Sequence, residues 1–371
     1  MTTLYLHIGM PKAGSTSIQT AFADGQEHLA GHGVGYFDLG KNHSSLLIAL
    51  FRGEKPKKVP KFFRKTLDRK SRTDLDKAAL VRAFDNTLAA NCMPKLVMSA
   101  EMLFQFRRKH VGAMKEHLSR FFDEIRILAY VRDPISWASS RAQQEILRTK
   151  NHRRKTLDEI CALEAIAAGE SPIVPHYRAG LEPYIEAFGR GAVDIRLFDR
   201  NHFMNGDLIA DFCVAIGEPS LASSLTSAVQ KLSLSYEAVL LLDQYKKLLA
   251  ARNDQDLPSK AVTFYKRVMG LEGTRFALPQ AILERIRAAV ADDVVWLRQT
   301  MNSEVFEDTY PLEAATGPAW SASTLRQLVE IIDQGSNAHS SKRTSRESRR
   351  DHAAEIAAPS SGAMPTEDAL R

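Results

Sequence analysis

Residues 9–17, GMPKAGSTS, hold the densest run of chemistry-bearing groups in this chain. Gly9 and Gly14 bracket a short loop that contains Pro11 and Lys12, and three hydroxyl residues, Ser15, Thr16 and Ser17, follow at once. An apolar run, Leu4–Ile8, leads in; Ile18, Ala21 and Phe22 lead out with helical spacing. The pattern predicts a strand, a tight loop and a helix start. Such a junction offers a row of backbone N–H groups and the positive end of a helix dipole to one anionic group. The spacing Gly9-x-x-x-x-Gly14 is that of a P-loop, yet Ser15 stands where a triphosphate-binding loop carries its lysine. The cation is instead Lys12, inside the loop. A phosphate is expected here, without the triphosphate–magnesium arrangement of an ATPase.

A second segment, residues 125–148, points to another anion. Ile125–Val131 is a short apolar run that fits a buried parallel strand. Asp133 followed by Pro134 marks a helix start, with an acceptor at the N-cap and a proline where no N–H is missed. Arg132 therefore falls at the carboxyl end of a strand, where open α/β sheets bind ligands. Ser136 and Ser140 are four residues apart and share one face of the following helix. A guanidinium fork with a hydroxyl on a helix makes a terminal-phosphate clamp.

The two segments together resemble the sulfotransferases that use 3′-phosphoadenosine-5′-phosphosulfate (PAPS). Their 5′-phosphosulfate loop reads P-K-[TSA]-G-[ST]-[TS]-[SW], and here it is Pro11-Lys12-Ala13-Gly14-Ser15-Thr16-Ser17. Their 3′-phosphate is held by a strand-end Arg and a Ser eight residues later, the spacing of Arg132 and Ser140. The resemblance covers roughly residues 1–240, most securely these two motifs. It implies sulfuryl transfer from PAPS to an acceptor hydroxyl rather than an amine, and no metal; the basic stretches and cytoplasmic character favour a carbohydrate or glycolipid acceptor. It implies that Lys12, Ala13, Gly14, Ser15, Thr16 and Ser17 bind the phosphosulfate, that Arg132 and Ser140 bind the 3′-phosphate, and that Lys12 also stabilises charge during transfer. The family places its base, a His or Glu, just after the strand that precedes the clamp strand; Glu101 in LVMSAEMLF matches. His43, which opens the apolar segment SSLLIALF, is the rival base, and either residue could instead be a helix cap. His7, inside the first strand, reads as a core histidine. A Ser233-Leu234-Ser235 segment like one seen in bacterial sulfotransferase-like proteins precedes a helix from Tyr236.

The elements that must position these groups follow from the same pattern. Strands are expected at 4–8, 95–100, 125–131 and 193–198, and helices at 15–26, 74–90, after 107, after 134, at 184–188, 207–216, 236–249, 278–301 and 321–334. The fold expected is α/β, a three-layer parallel sheet of P-loop nucleotide-binding architecture with C-terminal helical additions. One such domain is expected over 1–334, and a disordered polar tail over 335–371. The chain has 371 residues, 44% hydrophobic and 25% charged, which suits one large core. No apolar run reaches about 18 residues, and no signal-peptide pattern opens the chain, so a cytoplasmic protein without a transmembrane segment is expected. Three scattered cysteines fit a reducing compartment and no metal cluster. The net charge of +6 suits anionic ligands, and a basic stretch over 52–72 adds to it. Nucleic acid is not expected as a partner, since no RNP, zinc-finger or helix-turn-helix pattern is present. A small molecule or glycan is the expected acceptor. The competing readings are a P-loop kinase, for which position 15 and the missing magnesium aspartate speak badly, and a non-catalytic nucleotide-binding protein of the same fold.

Overall fold

The computed structural model describes residues 1–53, 77–147, 155–225, 233–252, 257–306 and 317–332. Five strands form one sheet: β1 (Thr3–Gly9), β2 (Val34–Tyr36), β3 (Lys95–Ser99), β4 (Glu124–Val131) and β5 (Val193–Leu197). Their order is β2-β3-β1-β4-β5, and every neighbouring pair is parallel. The helices are α1 (Ser15–Asp24), α2 (Gln26–Gly31), α3 (Ser44–Phe51), α4 (Lys77–Ala89), α5 (Arg108–Leu118), α6 (Pro134–Ile146), α7 (Leu157–Ile160), α8 (Leu163–Ala167), α9 (Tyr177–Phe188), α10 (Leu208–Ala215), α11 (Tyr236–Ala251), α12 (Leu257–Val268), α13 (Gln280–Ala289) and α14 (Ala291–Met301).

The strands are near-continuous apolar runs because helices cover both faces of the sheet. Ile127 through Val131 on β4 are at most 1% exposed. From β1 the chain moves one way across the sheet to β2 and β3, then returns past β1 to β4 and β5. With right-handed crossovers this reversal puts the intervening helices on opposite faces, giving three layers. Helix α1 packs with α10, and α9 packs with α5. The reversal also places the switch point beside β1, so the loops at the carboxyl ends of β1, β3 and β4 meet there. One hydrophobic cluster extends from Leu4 to Val305.

The α/β class, the parallel sheet and the C-terminal helices match the expectations from sequence. Strand β2 has three residues, too few for periodicity to reveal. The helical region expected over 278–301 is two helices that meet at Val290 and Ala291. Among the described residues no helix is long and apolar enough to cross a membrane. Most of the basic stretch over 52–72, residues 148–154 of a second basic cluster, Leu232 and the tail from 335 lie outside the described residues.

Candidate functional site

The loop after β1 is shaped by three residues with positive φ. Gly9 (+86°) ends the strand, Lys12 (+70°) sits mid-loop and Gly14 (+76°) caps α1. A side chain at Gly14 would meet Leu208 Cδ2 at 2.3 Å and Phe198 Cε2 at 2.6 Å, so both the conformation and the space require glycine. Lys12 has no such excuse. A non-glycine residue in the left-handed region costs roughly 1–2 kcal/mol and is held there by its surroundings, commonly at functional sites. Downstream, the N–H groups of Ser17 and Ile18 turn back to Gly14 O at 2.9 and 3.3 Å. Among the described residues no backbone carbonyl takes the N–H of Gly14 or Ser15. Ser15 is 2% exposed, and its Oγ is buried without a hydrogen-bond partner. A buried hydroxyl left orphaned at the start of a helix, beside two such amides, suits an anion seated in the turn.

Arg132 follows β4 and reaches this loop directly. Its Nη1 donates to Lys12 O at 3.2 Å, and its Nε donates to Ser136 Oγ at 2.9 Å. The guanidinium lies over the Phe198 ring, 5.7 Å from the centroid. Asp133 does what its position before Pro134 predicts: its side chain accepts from the N–H groups of Ile135 and Ser136, and from the Ser136 hydroxyl. Two buried residues fix the junction further. Trp137 Nε1 donates to Pro11 O at 2.7 Å, and the Tyr177 hydroxyl donates to Arg132 O at 2.6 Å. Burial, aided by the Asp133 and Asp293 carboxylates, pushes the Tyr177 hydroxyl well above its ordinary range, so it stays a donor. Ser140 lies one turn beyond Ser136 on the same face of α6, partly exposed.

Glu101 sits where the sheet reversal brings β3 against β1. It opens a 3₁₀ turn, Glu101–Gln105, and is partly exposed. A Cβ on Gly9 would lie 2.6 Å from Glu101 Cα and 2.8 Å from Glu101 O, so the strand end and this residue are in direct backbone contact. The structure thus brings Lys12, Ala13, Gly14, Ser15, Thr16, Ser17, Arg132 and Glu101 to the carboxyl ends of three adjacent strands, with Ser140 further along α6.

His43 is not arranged as a base. It is fully buried; its Nδ1 accepts from Ser99 N–H at 3.0 Å and its Nε2 donates to Phe37 O at 3.0 Å. Because both partners are backbone groups, the tautomer is fixed and no lone pair is left to receive a proton. Burial holds its pKa down to about 4. His7 is a core histidine, as its place in β1 predicts. Its Nδ1 pairs with Ser99 Oγ at 2.8 Å, and burial lowers its pKa to about 3. Its Nε2 has no hydrogen-bond partner, and the ring packs at steep angles to Tyr130 and Phe212, centroids 6.0 and 5.6 Å away.

Sequence reasoning missed Trp137, Tyr177 and Phe198 as parts of the site. Each acts across more than 40 residues of chain, and nothing local marks it. A separate cleft, lined by Pro175, His176, Arg178, Glu182 and Asp293 among others, shares no residue with the loop or the clamp. The site is placed at the strand ends because the anion-facing donors converge there. Among the described residues no group of three His, Cys, Asp or Glu side chains could hold a metal ion.

The geometry offers two anion positions, one at the loop amides and Ser15 and one at Arg132, with the Glu101 backbone against Gly9 where the loop begins. No family model matches the sequence, and no curated protein does. Among solved structures the chain is similar to the crystal structure of a sulfotransferase from Alicyclobacillus acidocaldarius, at 15% identity and a TM-score of 0.39, over 70% of this chain and 95% of that one.

Proposed function

We propose that this chain transfers a sulfuryl group from PAPS to an acceptor hydroxyl. The observation that carries the reading is the direct bond from Arg132 to the Lys12 carbonyl, which ties a phosphate-type loop and a guanidinium clamp into one site. The amides of Gly14 and Ser15 and the Ser15 hydroxyl take the 5′-phosphate; Arg132 and Ser140 take the 3′-phosphate. PAPS would supply the sulfuryl group, whose bond to the 5′-phosphate oxygen breaks as the acceptor oxygen attacks sulfur. Lys12 offsets the negative charge that grows on the departing phosphate, which acts on the transition state more than on binding. Glu101, against Gly9, takes the proton of the acceptor hydroxyl. Positioning and charge carry such a transfer, as they do in phosphoryl transfer. The acceptor class that suits the chain's positive charge is a carbohydrate or glycolipid, and the domain extends over 1–334.

The kinase reading is disfavoured by Ser15 in the lysine position and by Asp133, which is spent as a helix cap. Calorimetric titration with adenosine 3′,5′-bisphosphate, set against ATP with magnesium, separates the two. Tight, metal-independent binding of the bisphosphate is expected. Binding of ATP–magnesium alone would overturn the reading.

A further inference from the structure

We propose that His43 is a positioning residue for Glu101, acting through Ser99 at a distance from the reacting atoms. The proposal rests on the sulfuryl-transfer reading and assigns a role to a histidine that the reading leaves idle.

Ser99 is the last residue of β3, two positions before Glu101. His43 grips it twice: Nδ1 accepts the Ser99 N–H, and the His43 N–H donates to Ser99 O, each at 3.0 Å. The next residue, Ser44, accepts the Met102 N–H on its Oγ at 3.2 Å. Two consecutive residues at the start of α3 therefore hold the chain on both sides of Glu101. From the opposite side β1 completes the grip, with Ala100 N–H donating to His7 O at 2.9 Å and Gly9 packed on the Glu101 backbone. Ser99 Oγ in turn pairs with His7 Nδ1 at 2.8 Å and accepts from Gln19 Nε2 at 3.2 Å. Gln19 lies on α1, the helix that the phosphate-type loop opens. The Ser99 hub thus joins the backbone that carries Glu101 to α1, the helix the loop opens, through buried, directional bonds. Such bonds fix distances more sharply than apolar packing, and a base displaced by about 1 Å loses on the order of 10²-fold in rate.

His43 enters this network only as the neutral Nε2–H tautomer, since a protonated ring could not accept from Ser99. Its Nε2–H anchors the other side of the ring on Phe37 O, the residue directly after β2.

The test compares His43→Leu with His43→Asn, whose side-chain oxygen can replace Nδ1 as the acceptor for Ser99 N–H. Three quantities are read: affinity for adenosine 3′,5′-bisphosphate, single-turnover cleavage of radiolabelled PAPS with water as acceptor, and hydrogen exchange of the peptide spanning 97–104. In His43→Leu, bisphosphate affinity should stay within about twofold while turnover falls about 10–100-fold. Exchange at 99–102 should quicken, and the acidic limb of the pH–rate profile should remain. His43→Asn should restore most of the turnover and the protection. Ser44→Ala, which removes the Met102 acceptor from a smaller side chain, should show the same pattern in milder form and serves if His43→Leu fails to fold. Loss of the acidic limb in both His43 variants would make His43 the base and overturn the proposal. Faster exchange with unchanged turnover would overturn it as well. A wild-type protein that binds no bisphosphate and cleaves no PAPS would bring down the parent reading, an outcome distinct from either.

Discussion

Replacing Gly9 with alanine tests the contact that joins the loop to Glu101. Two terms set its cost. The residue has φ +86°, where an alanine costs roughly 1–2 kcal/mol. The new Cβ would also lie 2.6 Å from Glu101 Cα and 2.8 Å from its carbonyl oxygen. These are backbone atoms, held from the far side by His43 and Ser44, so no side-chain rotation relieves the clash. Forcing an extra methyl into a packed site costs about 1–3 kcal/mol. The expected loss is therefore about 2–5 kcal/mol. Gly53→Ala provides the control: its φ is +70° and nothing lies within 4 Å of the added atom, so only the backbone term remains. Urea denaturation of both variants and the wild type reads the difference, with the midpoint and slope giving each free energy. Gly9→Ala should be the costlier by about 1–3 kcal/mol. Equal losses would mean that β1 and the Glu101 turn are not in contact, and the placement of the carboxylate beside the loop would fall with it.

Arg132→Ala should weaken adenosine 3′,5′-bisphosphate binding by about 2–4 kcal/mol, and an analogue without the 3′-phosphate should bind wild type and variant alike in the same calorimetric titration. Glu101→Gln should keep PAPS affinity and lower single-turnover rate by about 10²–10⁴-fold, with the acidic limb of the pH–rate profile lost; near-normal turnover would remove Glu101 as the base. Acid should destabilise the fold through His7 and His43. Their folded pKa values of about 3 and about 4 lie below the ordinary value of 6.5, so the unfolded chain takes up protons first. Their contribution is complete above pH 6.5 and is lost as pH falls toward 4 and then 3, on the order of several kcal/mol. Denaturation curves at pH 7.5, 5.5 and 4.5 check this, and a flat profile would contradict it.

The parts of the site legible in the sequence are those built by neighbours in the chain. Gly9 and Gly14 signal a loop because left-handed turns favour glycine, and Asp133-Pro134 signals a helix start because capping is local. From these alone Arg132 could be placed at a strand end. Glu101 was legible as a position after a strand, but its contact with Gly9 depends on β3 lying beside β1, which strand order decides and local sequence does not. His43 shows the limit most clearly. A histidine ahead of an apolar helix looks the same whether its nitrogens face a cleft or a neighbouring strand. Only the fold shows Ser99 and Phe37 taking both of them. Nothing local marks Tyr177 or Phe198 as part of the site, for the same reason, and α13 and α14 read as one helix because the break at Val290 carries neither Gly nor Pro.

The central place of β1 in the sheet has a consequence for synthesis. Its two partners are β3 and β4, and its register with β4 pairs Thr3 with Glu124. On the ribosome β1 therefore emerges roughly 120 residues ahead of the strand that completes its pairing, a wait of about 6–24 s at 5–20 residues per second. Until β3 is made both edges of this apolar strand are open, and one stays open until β4 follows, the kind of segment that pairs with other chains. The loop that follows β1 is incomplete during the wait, because Arg132, which bonds its Lys12 carbonyl, and Phe198, which packs on Gly14, have not yet been made. On the proposed function, ligand therefore cannot steady the nascent strand, and holding β1 apart falls to whatever binds unfolded strands in the cell.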